Sequence, residues 1–284
     1  MNVVDTHVHF WDRSLLRYPW LDDEPALQRR FLPADFEPFR TGAVDAVVFV
    51  QADCAPVSSA EEVAWVETLA RDDARIIGIV AYVDMLAEPG RAAALDVVAE
   101  SSRCVGVRHN IQRHAPGFAV DPAFVRGVQQ VGARGLPFDL CITGDQLDET
   151  IELVDRCPDT RFVLDHCGKP AIRDDAYAPW AEGIERLASF ARVSCKLSGL
   201  LTEARADQRH ADALRPYAEH VVRCFGHERM MYGSDWPVAT LGGSAELWLS
   251  IVDELTSGWS AAARQSFYAD NALRFYGLDL PARV

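Results

Sequence analysis

Short runs of β-branched and other apolar residues recur along the chain, and longer amphipathic segments separate them. Eight such runs are present, at Val3–His9, Val44–Val50, Ile76–Val83, Cys104–His109, Pro137–Ile142, Arg161–His166, Arg192–Leu197 and Arg229–Tyr232. Their nearly continuous apolar character predicts strands that are buried on both faces. Strands that alternate with amphipathic segments are typical of a parallel sheet with crossover helices.

The segments between these runs carry helix signals. Ser58 with Glu61 forms a capping-box pattern, and Pro122 suits the first turn of a helix. No linker or low-complexity segment interrupts the pattern, which predicts one domain over residues 1–284. Eight strand–helix units in this length favour an α/β fold, a single (β/α)8 TIM-type barrel. An open doubly wound sheet has the same local pattern and is the alternative.

The charge and composition of the chain limit the classes of partner that the protein is expected to bind. The formal net charge of −14 disfavours binding to nucleic acid or to anionic membranes, and favours a small-molecule partner. No apolar run reaches membrane-spanning length, and Asp5 interrupts the N-terminus where the apolar part of a signal peptide would lie. The seven cysteines are an odd number and include no Cys-x-x-Cys pair. These features predict a cytoplasmic protein and leave the oligomeric state open.

Polar residues cluster at the C-terminal ends of the predicted strands, which form the catalytic face of a barrel. His7 and His9 are two positions apart, so their side chains point the same way along a strand. His166 ends the sixth predicted strand, and Asp235 follows the eighth. Each residue alone is typical of a hydrogen-bonded structural position, but together they have the residue types of a metal or acid/base site.

The ordered motifs of the chain resemble a known enzyme family. They are His7-Val8-His9, Asp165-His166-Cys167-Gly168-Lys169-Pro170, Lys196-Leu197-Ser198-Gly199-Leu200 and Tyr232-Gly233-Ser234-Asp235-Trp236-Pro237. This set resembles the amidohydrolase-2 branch of the amidohydrolase superfamily, which contains sugar-lactone and pyrone-dicarboxylate lactonases. Phe10-Trp11-Asp12 followed by Tyr18-Pro19-Trp20-Leu21 is similar to the L-fuconolactonase and L-rhamnonolactonase-like members. The resemblance implies hydrolysis of an aldonolactone, such as L-fuconolactone, to the aldonic acid.

The chain departs from the metal-dependent members of this superfamily at two strands. Those members carry a histidine at strand five and often a lysine or carboxylate at strand four, whereas Pro137–Ile142 has no histidine and strand four contributes Arg108. We therefore expect no binuclear site and no required cofactor, with the charge of Arg108 replacing a Lewis acid. A mononuclear zinc held by His7, His9 and Asp235 is the alternative.

These residues predict a mechanism for lactone hydrolysis. Asp235 is expected to activate water, because proximity compensates for the weak basicity of an aspartate with a pKa of about 4. Donors that stabilise the oxyanion are expected among His7, His9, His166 and Arg108. The predicted substrate contacts are Trp11, Trp20, Gln51, Lys169, Glu203 and Trp236.

Two other functions compete with this interpretation. A zinc-dependent decarboxylase of the same superfamily shares the first-strand histidines and the terminal aspartate, and it differs by needing metal and releasing carbon dioxide. A catalytically inactive barrel that binds a ligand is the alternative of another class, since fold does not imply function. A serine hydrolase is disfavoured because the chain has no Gly-x-Ser-x-Gly motif.

Overall fold

The computed structural model describes residues 1–281. Eight parallel strands follow chain order, and each is hydrogen bonded to the next. They are β1 Val4–Val8, β2 Ala46–Val50, β3 Ile76–Tyr82, β4 Cys104–Arg108, β5 Phe138–Leu140, β6 Phe162–Leu164, β7 Val193–Leu197 and β8 Met230–Tyr232. All eight strands predicted from the sequence are present, several of them shorter than expected.

The first and last strands close the sheet into a barrel. The backbone N–H of His9 donates to the carbonyl of Trp236 at 2.7 Å, and the N–H of Asp235 donates to the carbonyl of His7 at 2.9 Å. Val8 and Trp236 form a parallel bridge at the same seam. The predicted (β/α)8 barrel is therefore confirmed, and the open doubly wound sheet is excluded.

The sixth strand ends two residues earlier than the apolar pattern predicts. β6 stops at Leu164, and residues Asp165–Gly168 form a tight helical turn. His166 and Cys167 adopt left-handed backbone angles, with φ of 54° and 53°. This conformation cannot continue a strand, and it turns His166 toward the mouth of the barrel.

Helices surround the barrel. They are α1 Glu37–Thr41, α2 Ser59–Asp72, α3 Gly90–Glu100, α4 Pro122–Gly132, α5 Leu147–Arg156, α6 Tyr177–Ala188, α7 Leu200–Glu203, α8 Ala211–Phe225, α9 Ala245–Leu255, α10 Ala261–Gln265 and α11 Asn271–Tyr276. Pro122 opens α4 as predicted, with the Asp121 carboxylate accepting from two backbone N–H groups. The capping box predicted at Ser58 is wrong, because Ser58 ends a 3-10 turn and its side chain makes no capping hydrogen bond.

A second buried cluster, distinct from the main core, lies below the mouth. It consists of strand residues together with Ala269, Ala272 and Tyr276 from the C-terminal helical segment; the strand residues are Val4, Ala46, Val48, Val50, Val80, Val163 and Met231. Tyr276 reaches up from this cluster to the carboxylate of Asp139 on β5. No helix within residues 1–281 is long and apolar enough to cross a membrane.

Candidate active site

The carboxylate of Asp235 is the centre of the site. Its Oδ1 atom lies 3.4 Å from Nε2 of His9 and 3.8 Å from Nε2 of His7. The Nε2 atom of His166 lies 3.9 Å from the same oxygen. All four side chains are buried, so the structure brings together the four residues that the sequence singles out.

Unusual backbone geometry positions several of these side chains. Within residues 1–281, seven residues other than glycine have a positive φ, and five of them line the pocket described below; the five are Asp53, Arg113, His166, Lys169 and Asp235. Such angles are uncommon for residues with a Cβ atom and concentrate at ligand sites. Close packing adds a further constraint, because a Cβ at Gly199 would lie 2.6 Å from the His166 ring.

The second ring nitrogen of each histidine has its own partner. Nδ1 of His9 lies 2.7 Å from the carbonyl oxygen of Val50, and Nδ1 of His166 lies 2.9 Å from the Ser198 hydroxyl. A carbonyl oxygen can only accept, so His9 carries a proton on Nδ1. Nδ1 of His7 lies 3.3 Å from Nζ of Lys196 and 3.2 Å from Oδ1 of Asp165, so it faces both a donor and an acceptor. These partners orient the three rings so that each Nε2 faces Asp235.

Arg108 joins this group from the end of β4. Its Nη1 donates to Oδ2 of Asp165 at 3.2 Å and lies 3.2 Å from Nε2 of His7. Its Nη2 donates to the backbone carbonyl of Gln51 at 2.6 Å. The Nε–H group has no hydrogen-bond partner in the described part of the chain. Arg108 therefore keeps donors available beyond those that hold it in place.

The electrostatics favour an ionised carboxylate at Asp235 and uncharged rings at His7 and His166. Burial alone would raise the pKa of Asp235, but His166, His9 and Lys169 together bring it below its usual value. Burial holds the pKa of His7 and of His166 well below that of an ordinary histidine. At neutral pH the centre of the site is thus a carboxylate with two uncharged rings beside it.

A pocket of about 570 Å³, including its open mouth, lies above these groups. Its wall consists of His9, Trp20, Ala52, Asp53, Arg108, Asn110, Gln112, Arg113, Cys141, His166, Lys169, Asp235 and Val238. Trp20 is half-buried and its indole N–H donates to the carbonyl of Ala52 at 2.8 Å. Nζ of Lys169 donates to Oε1 of Gln112 at 2.6 Å. The mixed polar and apolar lining of this pocket is typical of a small-molecule site.

Four of the predicted substrate contacts lie off the pocket wall. Trp11 is fully buried, and its indole N–H donates to backbone carbonyls of the loop after β1. The Gln51 side chain accepts from the N–H of Asp53 at 2.6 Å, and the Trp236 ring packs against three phenylalanines. Glu203 ends α7 and lies outside the lining. Among the predicted contacts, the structure brings only Trp20 and Lys169 to the wall.

Sequence reasoning also missed residues that the structure places at the site. Asn110, Gln112 and Arg113 follow β4 and line the pocket. Asp139 and Lys196 are fully buried on β5 and β7, beneath His7. A charged residue within an apolar strand was the available signal for the last two.

The site has a donor set that fits a metal ion. One ligand atom each from His7, His166 and Asp235 lies within 4.8 Å of the others. The zinc alternative drawn from the sequence has His9 as the third ligand, and this group has His166 in its place. The separations of 3.8 Å and 3.9 Å from Asp235 are close to the roughly 3.3 Å between atoms that share a tetrahedral zinc. Cys141, Asp165 and His166 form a second such group.

The fold and the site define a class: a closed (β/α)8 barrel with a histidine and carboxylate centre at the C-terminal ends of its strands. Within that class, the chain belongs to the amidohydrolase family Amidohydro_2, whose model matches residues 4–278.

Comparison with characterised proteins agrees with this assignment. The chain is 35% identical to a protein named L-fucono-1,5-lactonase from Burkholderia multivorans, over 98% of this chain and 97% of the relative. A protein of the same name from Burkholderia ambifaria is 31% identical, over 98% and 97%. The crystal structure of an amidohydrolase from Burkholderia multivorans with bound zinc superposes with a TM-score of 0.87 at 33% identity, covering 98% of this chain and 100% of the other.

Proposed function

We propose that this protein hydrolyses a sugar lactone, L-fuconolactone or a similar aldonolactone, to the aldonic acid. The observation that carries the proposal is the buried Asp235 carboxylate at the pocket floor, with three histidine Nε2 atoms between 3.4 and 3.9 Å from one oxygen. The names of the lactonase relatives support the choice of substrate class. All seven cysteines are free, which supports a reducing compartment such as the cytoplasm.

Asp235 is the general base in this mechanism. Its carboxylate accepts one proton from a water molecule while the water oxygen forms a bond to the lactone carbonyl carbon. A lowered pKa makes an aspartate a weak base, so the rate depends on placement of the reactants and on stabilisation of the oxyanion. Cys141 also lines the pocket, but burial raises the pKa of its thiol and disfavours it as a nucleophile.

Arg108 is the main oxyanion donor. Three of its contacts are to fixed acceptors, and its unpaired Nε–H adds a donor in a buried setting. A guanidinium in such a site stabilises the negative charge that develops on the carbonyl oxygen. When the ring C–O bond breaks, protonated Asp235 returns its proton to the departing alkoxide. One carboxyl group therefore acts as base and then as acid, and the product is the open-chain aldonic acid.

The substrate ring needs an apolar platform and polar partners. Trp20 offers a half-buried indole face, and Lys169 with Gln112 offers a polar edge at the same wall. Trp11 packs edge-on against Trp20 with 5.5 Å between ring centroids, and so supports the platform from behind. Gln51 acts through its carbonyl, which accepts from Arg108.

A zinc ion bound here would be held by His7, His166 and Asp235, where it would polarise a carbonyl or a water molecule. We propose that the reaction does not require it. Arg108 already donates toward Nε2 of His7, the atom that a zinc ion would need, and it brings a permanent positive charge to the same place.

The test is a panel of aldonolactones assayed with a pH indicator, before and after exhaustive chelation, with carbon dioxide release measured in parallel. We expect lactone-dependent acid release that survives chelation. Loss of activity on chelation, restored by zinc, would contradict metal independence. Carbon dioxide release from an aromatic acid, without lactone turnover, would replace the lactonase by a decarboxylase.

A further inference from the structure

Asn110 lies on the pocket wall and has an unpaired amide oxygen. The residue follows Arg108 by two positions and is only 8% exposed. Its Oδ1 atom is buried and has no hydrogen-bond partner within residues 1–281. Buried amide oxygens of folded proteins almost always have a partner. An exception on the wall of a ligand pocket points to a group that a ligand completes.

The other buried asparagine of the chain, Asn271, shows how an amide with a structural role is bonded here. Nδ2 of Asn271 donates to the carbonyl oxygens of His227 and Met230, at 2.7 Å in both cases. Its Oδ1 accepts from the guanidinium of Arg274 at 2.6 Å. These bonds tie the C-terminal helical segment to the start of β8. Oδ1 of Asn110 makes no such bond, so the packing of the barrel does not explain an amide at this position.

The backbone on both sides of Asn110 is held in place. The ring of His109 accepts from a backbone N–H group of the loop after β3 at 3.0 Å. The N–H groups of Ile111 and Gln112 both donate to the carbonyl oxygen of Cys141, at 3.0 and 2.9 Å. The amide of Asn110 therefore has a fixed place on the wall. Rotation about its last side-chain bond can turn either its oxygen or its NH₂ group toward the pocket.

A ring hydroxyl is the chemical group that fits this amide. An amide carries one acceptor and two donors, and a hydroxyl can both donate and accept. Lys169 and Gln112, on the same wall, are already bonded to each other. Among the wall residues, the buried polar atoms without a partner in the described chain are Nε of Arg108 and Oδ1 of Asn110. The first belongs to the donor proposed for the lactone carbonyl, and the second is available for the hydroxylated part of the ring.

We propose that Asn110 is a specificity-determining residue, which hydrogen bonds one ring hydroxyl of the lactone whose carbonyl is bound by Arg108. This role deepens the proposed function and rests on it. A site built to bond a hydroxyl discriminates against the analogue that lacks it, because the buried amide is then left unpaired. The native protein should therefore prefer the parent lactone to one of its monodeoxy analogues by roughly 10- to 100-fold in kcat/KM.

The first experiment compares the native protein with Asn110→Leu on the best lactone and on each of its monodeoxy analogues. Leucine has nearly the shape of asparagine and no hydrogen-bonding group. We expect the variant to lose roughly 10- to 100-fold in kcat/KM on the parent lactone, and to hydrolyse one deoxy analogue about as well as the native protein does. The ratio of parent to analogue within each protein cancels any general damage to the pocket.

Urea unfolding of the same proteins separates a ligand-binding role from a structural one. Asn110→Leu should leave the unfolding midpoint unchanged or raise it, because the variant loses a buried polar atom that has no partner. Asn271→Leu is the matched control. It should lower the midpoint, because the hydrogen bonds to His227, Met230 and Arg274 are lost.

A second experiment needs no turnover. The chain has only three asparagines, Asn2, Asn110 and Asn271, so selective ¹⁵N labelling of asparagine gives three side-chain amide signals. The Asn110→Leu protein identifies the signal of Asn110. The probe is 1,5-anhydro-L-fucitol, a six-membered ring that carries hydroxyls and has no carbonyl, titrated into the full chain. We expect the signal of Asn110 to move and the other two to stay in place.

Several outcomes would overturn the proposal. One is an Asn110→Leu protein with kcat/KM on the parent lactone within about threefold of native. Others are an equal loss on the parent and on every deoxy analogue, a variant that is destabilised or fails to fold, and an Asn110 signal that does not respond to the probe. If the native protein hydrolysed no lactone, the proposed function would fail, while the titration would still decide whether Asn110 binds a hydroxylated ring.

Discussion

Nη1 of Arg108 lies 3.2 Å from Nε2 of His7. Since a guanidinium only donates, His7 acts as an acceptor in this contact. The sequence predicts both residues among the oxyanion donors, and the structure brings the two side chains into contact. The same arginine is held by Asp165 and by the Gln51 carbonyl, so its remaining N–H groups have a fixed direction.

Arg108→Lys should lower kcat/KM of lactone hydrolysis about 100-fold, equivalent to about 3 kcal/mol of transition-state stabilisation. The charge is kept, but one ammonium cannot reach Asp165, His7 and the Gln51 carbonyl as the fork does. Steady-state kinetics on the best lactone measure this. Arg75→Lys is the control, because Arg75 pairs with Asp73 at the opposite end of the strands. Equal activity of both variants would remove Arg108 from the mechanism.

Asp235→Asn should lower kcat roughly 10²- to 10⁴-fold without unfolding the protein, because an amide cannot accept the proton from water. Asparagine tolerates the left-handed backbone, with φ of 61° at this position, so the substitution tests chemistry and not strain. Asp175→Asn makes the same change at φ of 53° on the surface, and should leave kcat unchanged. Near-normal turnover by a folded Asp235→Asn protein would exclude the general-base role.

Trp20→Leu should raise KM about 5- to 30-fold with a small effect on kcat, since an aromatic platform contributes on the order of 1–2 kcal/mol to ring binding. Trp20 is half-buried on the pocket wall. Trp65→Leu removes a comparably half-buried indole from α2, outside the pocket lining, and serves as the control. If both variants changed KM equally, Trp20 would have no specific contact with substrate.

His109 predicts a pH dependence of stability. Burial lowers its pKa to about 4, and its Nδ1 accepts from the N–H of Met85 at 3.0 Å, which requires an unprotonated nitrogen. The unfolded chain, with a histidine pKa of about 6.5, binds this proton more readily than the folded chain does. Stability from His109 is therefore complete above pH 6.5 and is lost as the pH falls toward 4, by up to about 3 kcal/mol.

The measurement compares urea unfolding of the native protein with that of His109→Asn between pH 4 and pH 7. Asparagine keeps an acceptor for the Met85 N–H but does not titrate, so contributions from other groups cancel in the difference. The native protein should lose more stability than the variant as the pH falls. Parallel curves for the two proteins would show that His109 is not held neutral by the fold.

Periodicity predicted the eight strands and their order because buried parallel strands need continuous apolar runs, and this requirement is local. The centre of the site was also predictable, since the ends of all eight strands meet at one face and His7, His9, His166 and Asp235 each lie there. The aromatic residue that forms the platform for the substrate ring was less predictable from the sequence. Trp11 and Trp20 both lie in the loop after β1 and Trp236 follows β8, and only packing separates the buried rings from the one on the wall.

The sequence by itself determined the barrel, the family and the residues that surround Asp235, because these follow from local patterns and ordered motifs. Only the tertiary structure decided which of these side chains are in contact with one another. Arg108, His7, Asp165 and Lys196 come from four different strands or strand ends, and the roles of donor and acceptor among them depend on distances of 3.0 to 3.3 Å. Hydrogen bonding depends on such distances and directions, which residue spacing along the chain does not specify.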